Sequence, residues 1–155
     1  RWLRRVWPRL ALEAGLDVEA LSRDPEVVRR YVEDPLVHGR ISAAFAAGMM
    51  DAQDAVGRSA ERVHVPMLLL HGESDALCPV EGSRSFHRAL PHDRVAGSRL
   101  VTYPELRHEI FNEPERETVY RDLLDWLDAR TARGPAADGR LPEGAPARAA
   151  RSAGS

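Results

Sequence analysis

Apolar positions along the chain keep two different rhythms. Up to about Val63 they recur at helical spacing: Val28, Tyr31 and Val32 share one face of "SRDPEVVRRYVEDP", and Phe45, Met49, Ala52 and Val56 return at steps of four, three and four. Asp24 is a good N-cap with Pro25 at the first helical position, and Pro35 limits extension beyond Asp34. A second helix is expected to open at Ser42, with Phe45 and Met49 large enough to anchor a modest core contact. The opening "RWLRRVWPRLALEAGL" carries Trp2, Leu3, Val6, Trp7 and Leu10 as an amphipathic stripe that Pro8 kinks or interrupts. Helix packing is the favoured role for its two tryptophans.

From Pro66 the rhythm changes. "MLLL" is a short continuous apolar run, expected to be a strand covered on both faces. Residues 79–90, "PVEGSRSFHRAL", suit a helix with Phe86 and Leu90 on one side. "GSRLVTY" predicts a second strand, Leu100 to Tyr103, entered from a turn at Gly97 and left at Pro104. The clearest helix is "NEPERETVYRDLLDWLDAR": Asn112 and Glu115 stand in capping-box register, Pro114 lies in the first turn, and Arg130 sits at the end. Its expected buried side is Val119, Tyr120, Leu123, Leu124, Trp126 and Leu127. Strand, helix, strand, helix at these connection lengths predicts parallel strands and an α/β sheet. Two parallel strands are few for a sheet that needs helices on both faces, so the segment is expected to be the end of a larger domain.

Beyond Thr131 only Leu141 is a large apolar side chain, amid alanine, glycine and proline. Such a stretch cannot bury enough surface to offset chain entropy and reads as a disordered tail.

Composition narrows the function classes. The 24 acidic residues nearly balance 22 basic ones, all arginine, leaving a net charge of -2 without a continuous basic stripe, so nucleic acid is not an expected partner. A single cysteine, Cys78, excludes an internal disulfide framework and fits a reducing, cytoplasmic compartment. No run approaches 18 consecutive apolar residues. The chain begins at Arg1 and not at methionine, so an upstream part, a signal peptide included, is left open.

Chemistry enters at the strand ends. In doubly wound sheets the ligand site lies beyond the carboxyl ends of the strands. Asp75 follows the first strand by a few residues and His108 follows the second by a similar interval, so adjacent parallel strands would deliver both to one rim. An aspartate accepting from one imidazole nitrogen holds the tautomer in which the other can take a proton, and stabilises the imidazolium that forms. Each residue alone has a plainer reading, a cap or turn for the aspartate and a solvated loop for the histidine. Their joint placement favours the acid–base pair. The chain order, aspartate then histidine, also matches the tail of an α/β-hydrolase triad.

"VPMLLLHGESDALCPVEGSRSFHRAL" followed by "LVTYPELRHEIFNEPERETVYRDLLDWLDAR" resembles the C-terminal region of the monoacylglycerol lipase, lysophospholipase-like branch of the α/β-hydrolases, the serine aminopeptidase-type hydrolase domain. The likeness covers residues 15 to 130 approximately. It lies in the H-G-x-x-D segment, the tyrosine and proline before the histidine, the H-E-x-x-N-E run and the W-L near the end of the last helix. It implies an α/β fold that is the C-terminal part of the hydrolase core, residues 41–130, preceded by a helical cap region, residues 1–40, and followed by the tail, residues 131–155. It implies that Asp75 is the triad acid and His108 the general base. Glu73, Glu109, Asn112 and Glu113 match positions that shape the loop ends, and Cys78 resembles a cysteine found near the acid in some members. Trp2, Val6, Trp7, Leu10, Val28 and Tyr31 are candidates by likeness for the cap surface that receives an acyl chain. The substrates implied are monoacylglycerols, lysophospholipids or other small esters, and the apolar cap offers a route to peripheral membrane or lipid contact.

The chain departs from the family pattern at the nucleophile. No G-x-S-x-G occurs: "GESDA" and "GRSAE" carry Ser74 and Ser59, but neither has the second glycine or follows a buried strand in the required elbow. Esterase activity is therefore expected of a full-length parent and absent from the 155-residue chain alone. No cofactor is called for. A zinc helix is suggested only weakly by "HEIFN", where Asn112 stands in place of the second histidine, and His38, His64, His71, His87 and His92 form no ligand triplet by spacing. The rival class is a non-catalytic remnant, or a module that binds an acyl ligand or associates with another polypeptide.

Overall fold

The computed structural model describes residues 6–131, so Trp2, Leu3 and the expected tail after Thr131 lie outside the described residues. Helix α1, Pro25–Glu33, begins where its sequence signals place it. Asp24 is extended at the N-cap and its carboxylate accepts from the Glu26 N–H, while Pro25 occupies the first turn, where a missing N–H costs nothing. Val28 is buried, Tyr31 is half-buried, and Val32 is exposed, so the helix contacts its neighbours along a narrower stripe than the periodicity implied. Helix α2, Ala43–Gly57, is capped by the Ser42 hydroxyl, which accepts from the Phe45 N–H.

Two parts of the first third differ from expectation. The segment read as an amphipathic helix contains a strand, β1, Ala11–Glu13, that pairs antiparallel with β2, Arg40–Ser42, in the register Leu12 to Ile41. Helix α1 lies between these strands in sequence, so the pairing closes a long-range loop that no local period encodes. In α2, Phe45, Met49 and Val56 are exposed, and the alanines Ala43 and Ala47 are the buried positions. The period identified a helix correctly but not the neighbour that would cover its large side chains.

The site-bearing half follows the expected order. Strand β3, Leu68–Gly72, leads to α3, Glu81–Arg88, then β4, Arg99–Tyr103, then α4, Arg116–Thr131. The two strands pair in parallel from Leu68 opposite Arg99 to Gly72 opposite Tyr103, so their carboxyl ends finish side by side. Leu68 to Leu70 are half-buried and not fully covered. The core beneath the strand ends consists of Tyr103, Leu106, Ile110 and Val119, with Leu70 and Val101 packed against it. The Tyr103 hydroxyl donates to Asp122 at 2.9 Å. Burial first, then that carboxylate, pushes the phenol well above its ordinary range, so it is a donor at neutral pH.

The last helix starts later than its capping signal suggests. Asn112 belongs to a 3₁₀ turn, Ile110–Asn112, and its amide donates to the Glu109 carboxylate at 2.7 Å. Only Val119 of the expected apolar side is fully buried, while Tyr120, Leu124 and Leu127 are exposed. At the far end, Arg130 stacks on the Trp126 ring, 3.6 Å from its centre, and reaches the Gly97 carbonyl, which also accepts from Trp126 Nε1 at 3.1 Å. Gly97 has φ of 83° and gives the turn into β4 the left-handed conformation that side-chain-bearing residues resist.

Candidate active site

The loops after β3 and β4 are stitched together before any side-chain chemistry is considered. The Glu73 N–H donates to the Tyr103 carbonyl at 2.8 Å and the Ser74 N–H to the Leu106 carbonyl at 3.0 Å. Ser74 Oγ adds a bond to the Pro104 carbonyl at 2.9 Å. Between the loops lies Gly72, and a Cβ there would collide with the backbone carbonyls of Leu106 and Arg107. Glycine is what allows this approach.

On that frame Asp75 and His108, 33 positions apart, meet with Nδ1 of the imidazole 2.9 Å from Oδ2 of the carboxylate. The other oxygen, Oδ1, accepts the N–H groups of Leu77 and Cys78, each at 2.8 Å. The Asp75 side chain is 4% exposed and that of His108 is 39% exposed, so a buried acid faces an accessible imidazole. Burial would raise the Asp75 carboxyl. The Cys78 N–H, His108 and the Leu77 N–H together outweigh it, and the group lies below its ordinary value, ionised at neutral pH. The pair lines a cavity of about 300 Å³ with His71, Cys78 and Ile110.

Loop position is set from residues 20–23 as well. The His108 N–H donates to the Ala20 carbonyl at 3.4 Å and the Glu109 N–H to the Leu21 carbonyl at 2.8 Å. Glu113, fully buried, accepts from the Arg107 N–H at 2.8 Å, the Arg23 N–H at 3.1 Å and Arg23 Nε at 3.2 Å. Ser22, also buried, donates from Oγ to the Asn112 carbonyl at 3.1 Å. Of the four loop residues carried by likeness, Glu113 thus ties the histidine loop to residues 20–23, while Glu109 and Asn112 bind each other within the loop. Glu73 accepts from Arg84 and Thr102, each at 2.6 Å. Spacing did not single out Glu113, because nothing local to it distinguishes a buried carboxylate from a helix-entry one.

Asp75, Cys78 and His108 each offer a ligand atom, all within 4.8 Å of one another. The closest two already share a proton, which a cation would have to displace. Burial, then the Asp75 charge, raises the Cys78 thiol, keeping it protonated at neutral pH. This donor set suits proton sharing better than ligation.

A larger groove of about 810 Å³ adjoins the cavity, shares His71 and Cys78 with it, and is walled by Met49, Val56, Leu77 and Phe86. Met49 and Val56 of α2 therefore form one side of an apolar trough. The cap residues named by likeness do not gather there: Val6, Trp7 and Leu10 border a separate recess, Tyr31 borders a polar one with Arg30 and Asn112, and Val28 is buried. Ser59 Oγ donates to the Val56 carbonyl at 2.8 Å, so it and Ser74 are each engaged with backbone. Among the described residues no helix is long and apolar enough to cross a membrane.

Residues 1–115 match the family described as serine aminopeptidase, S33. A monoacylglycerol lipase of Mycolicibacterium smegmatis is 41% identical over 128 residues, covering 81% of this chain and 44% of the relative. The human monoglyceride lipase is 29% identical over 133 residues, covering 84% of this chain and 43% of its own length. The crystal structure of the Paleococcus ferrophilus monoacylglycerol lipase superposes with a TM-score of 0.77 at 40% identity, over 83% of this chain and 49% of that one. A soluble variant of the Saccharomyces cerevisiae monoglyceride lipase, in complex with a substrate analog, gives 0.73 at 26% identity, over 83% and 46%. The chain spans a little under half the length of these relatives.

Proposed function

Because the chain belongs to the serine aminopeptidase S33 family of α/β-hydrolases, we propose that Asp75 and His108 are the acid and the general base of a carboxylic ester hydrolase of the monoacylglycerol lipase or lysophospholipase type. The observation that carries this reading is the 2.9 Å contact between His108 Nδ1 and the ionised, buried carboxylate of Asp75. With Nδ1–H committed to Asp75, the Nε2 of His108 is left as the proton acceptor. The serine that it serves belongs to a G-x-S-x-G segment, and no such segment is among these 155 residues.

Chemistry then runs as acyl transfer. His108 Nε2 takes the serine proton as Oγ attacks the ester carbonyl, and Asp75 stabilises the imidazolium. Collapse of the tetrahedral adduct expels the alcohol, which leaves with the proton from His108. Water, deprotonated by the same nitrogen, attacks the acyl-enzyme, and collapse of the second adduct releases the fatty acid as the serine Oγ takes the proton back from His108. The apolar trough beside Cys78, with Met49, Val56 and Leu77 on its walls, supports an acyl group as the part of the substrate held on this side. The likeness to monoacylglycerol lipases supports a monoacylglycerol, a lysophospholipid or another small ester over peptide. Within the chain we assign residues 1–40 to a cap, 41–130 to the core and 131–155 to a tail, and the single thiol supports a cytoplasmic setting.

A second reading is a remnant or module that binds an acyl ligand without turning it over, supported by the trough and by the engagement of Ser59 and Ser74 with backbone carbonyls. The two readings separate in one experiment. Joining this chain to the segment of its own gene that encodes G-x-S-x-G is expected to give hydrolysis of a short-chain nitrophenyl ester, abolished by His108→Ala. The 155-residue chain alone is expected to give none, and turnover by it that His108→Ala abolishes would overturn the assignment of the nucleophile to another segment. An open frame upstream without the motif would favour the ligand-binding reading.

A further inference from the structure

A second imidazole stands behind the acid. His71, the penultimate residue of β3, is on the strand face opposite Leu70, with its side chain 15% exposed. Its Nε2 lies 2.8 Å from the Cys78 carbonyl and its Nδ1 lies 2.7 Å from Ser83 Oγ, at the start of α3. A carbonyl can only accept, so Nε2 carries the proton. On the other side of the ring Nδ1 faces the Ser83 hydroxyl, which can donate to it. The same Nε2–H is 3.5 Å from Asp75 Oδ2, the oxygen that His108 engages.

Resting on the reading of Asp75 and His108 as acid and base, we propose that His71 is a positioning residue that aims the acid: its Nε2–H pins the Cys78 carbonyl and flanks Asp75 Oδ2. The near end of the loop from Asp75 to Cys78 is tied to β3 by the Asp75 N–H, which donates to the Gly72 carbonyl at 3.3 Å. Asp75 Oδ1 draws in the N–H groups of Leu77 and Cys78 from within the loop, but those bonds would survive a movement of the whole loop. The bond from His71 to the Cys78 carbonyl is different, because it anchors the loop's far end to the strand that precedes it. Ser83 sets the tautomer and thus makes the anchor a donor. The result is a carboxylate whose Oδ2 meets His108 Nδ1 at 2.9 Å with His71 Nε2 beside it at 3.5 Å. Since Asp75 must face that imidazole within hydrogen-bond reach, a loop that drifts by an ångström weakens the pair without unfolding the domain.

The test reads two protons by solution NMR on the full 155-residue chain. Long-range proton–nitrogen correlations are expected to show His71 as the Nε2–H tautomer with an accepting Nδ1, and the His108 Nδ1–H as a strongly downfield signal slow to exchange with water. His71→Gln, whose amide can reach the Cys78 carbonyl, is expected to retain the His108 signal. His71→Leu, comparable in volume but without a donor, is expected to speed its exchange tenfold or more. Gln and Leu variants that behave alike in folded spectra would overturn the proposal, as would His71 found as the Nδ1–H tautomer. That last measurement needs no variant, so it decides even where the leucine chain fails to fold. Absence of the His108 signal from the unsubstituted chain would instead overturn the acid–base pair itself, and the role of His71 with it.

Discussion

At Asp75, a carboxylate with little access to water is held ionised by N–H groups that converge on it. Its carboxyl is depressed in the folded chain, so the unfolded chain binds the proton more tightly and stability rises with pH across the carboxylate range. The contribution is present above the ordinary value of about 3.9 and is lost as the pH falls through the lower folded value. Urea midpoints measured from pH 3 to 7 are expected to fall on the acid side, and to fall less in Asp75→Asn. Comparing the two chains cancels the exposed carboxyls of Glu26 and Glu81, which their hydrogen bonds to Arg29 and Arg88 also depress. Equal slopes would mean that Asp75 is not the ionised partner. Cys78 reports the same charge from the other direction: burial and then Asp75 raise its thiol, so alkylation by iodoacetamide at pH 8 is expected to be slower than that of a free peptide thiol. In Asp75→Asn the rate is expected to rise, because a nearby negative charge no longer opposes the thiolate. A rate unchanged by that substitution would count against the proximity of the two groups.

At the level of elements, the site depends on how closely two strand-exit loops approach. Parallel pairing brings Gly72 opposite Tyr103, and the two loops then exchange the bonds from Glu73 and Ser74 to Tyr103 and Leu106. Gly72→Ala is expected to destabilise the fold by roughly 1–3 kcal/mol, since its methyl meets backbone carbonyls that cannot swing aside. A denaturant midpoint equal to that of the unsubstituted chain would show that the loops have room. Beneath them, Val119 is the one apolar side chain of α4 that is wholly buried, against Tyr103, Leu106 and Ile110. The strand, turn and cap signals around these elements act over a few residues, which is why α1, α2, β3 and β4 stand where periodicity and caps place them. The start of α4 lies later than the cap signal places it, because Asn112 is taken up in the 3₁₀ turn Ile110–Asn112 that precedes the helix.

Across the whole molecule, residues 20–23 and the histidine loop are joined through a buried polar knot. Glu113 binds Arg23 and Arg107, and Arg23 also pairs with Glu105 at 3.3 Å and with Glu115. Glu113→Leu leaves the N–H groups of Arg23 and Arg107 without this acceptor, at an expected cost of roughly 2–3 kcal/mol. Glu113→Gln keeps a carbonyl oxygen there and is expected to cost less, and thermal or urea unfolding orders the two. A leucine chain as stable as the original would show that residues 20–23 hold the loop without the knot. By itself the sequence determined that the chain is α/β, that its two longer strands run parallel, and that Asp75 and His108 follow them at matching intervals, because periods, caps and strand-exit motifs are properties of neighbours in the chain. Tertiary structure alone decided that β1 pairs with β2, that Met49 and Val56 border a trough and Phe45 stays exposed outside any core, that Glu113 is sealed, and that His71 stands behind the acid. Each of those outcomes depends on which groups meet across tens of residues, where burial and hydrogen-bond partners, and not residue type, set the free energy.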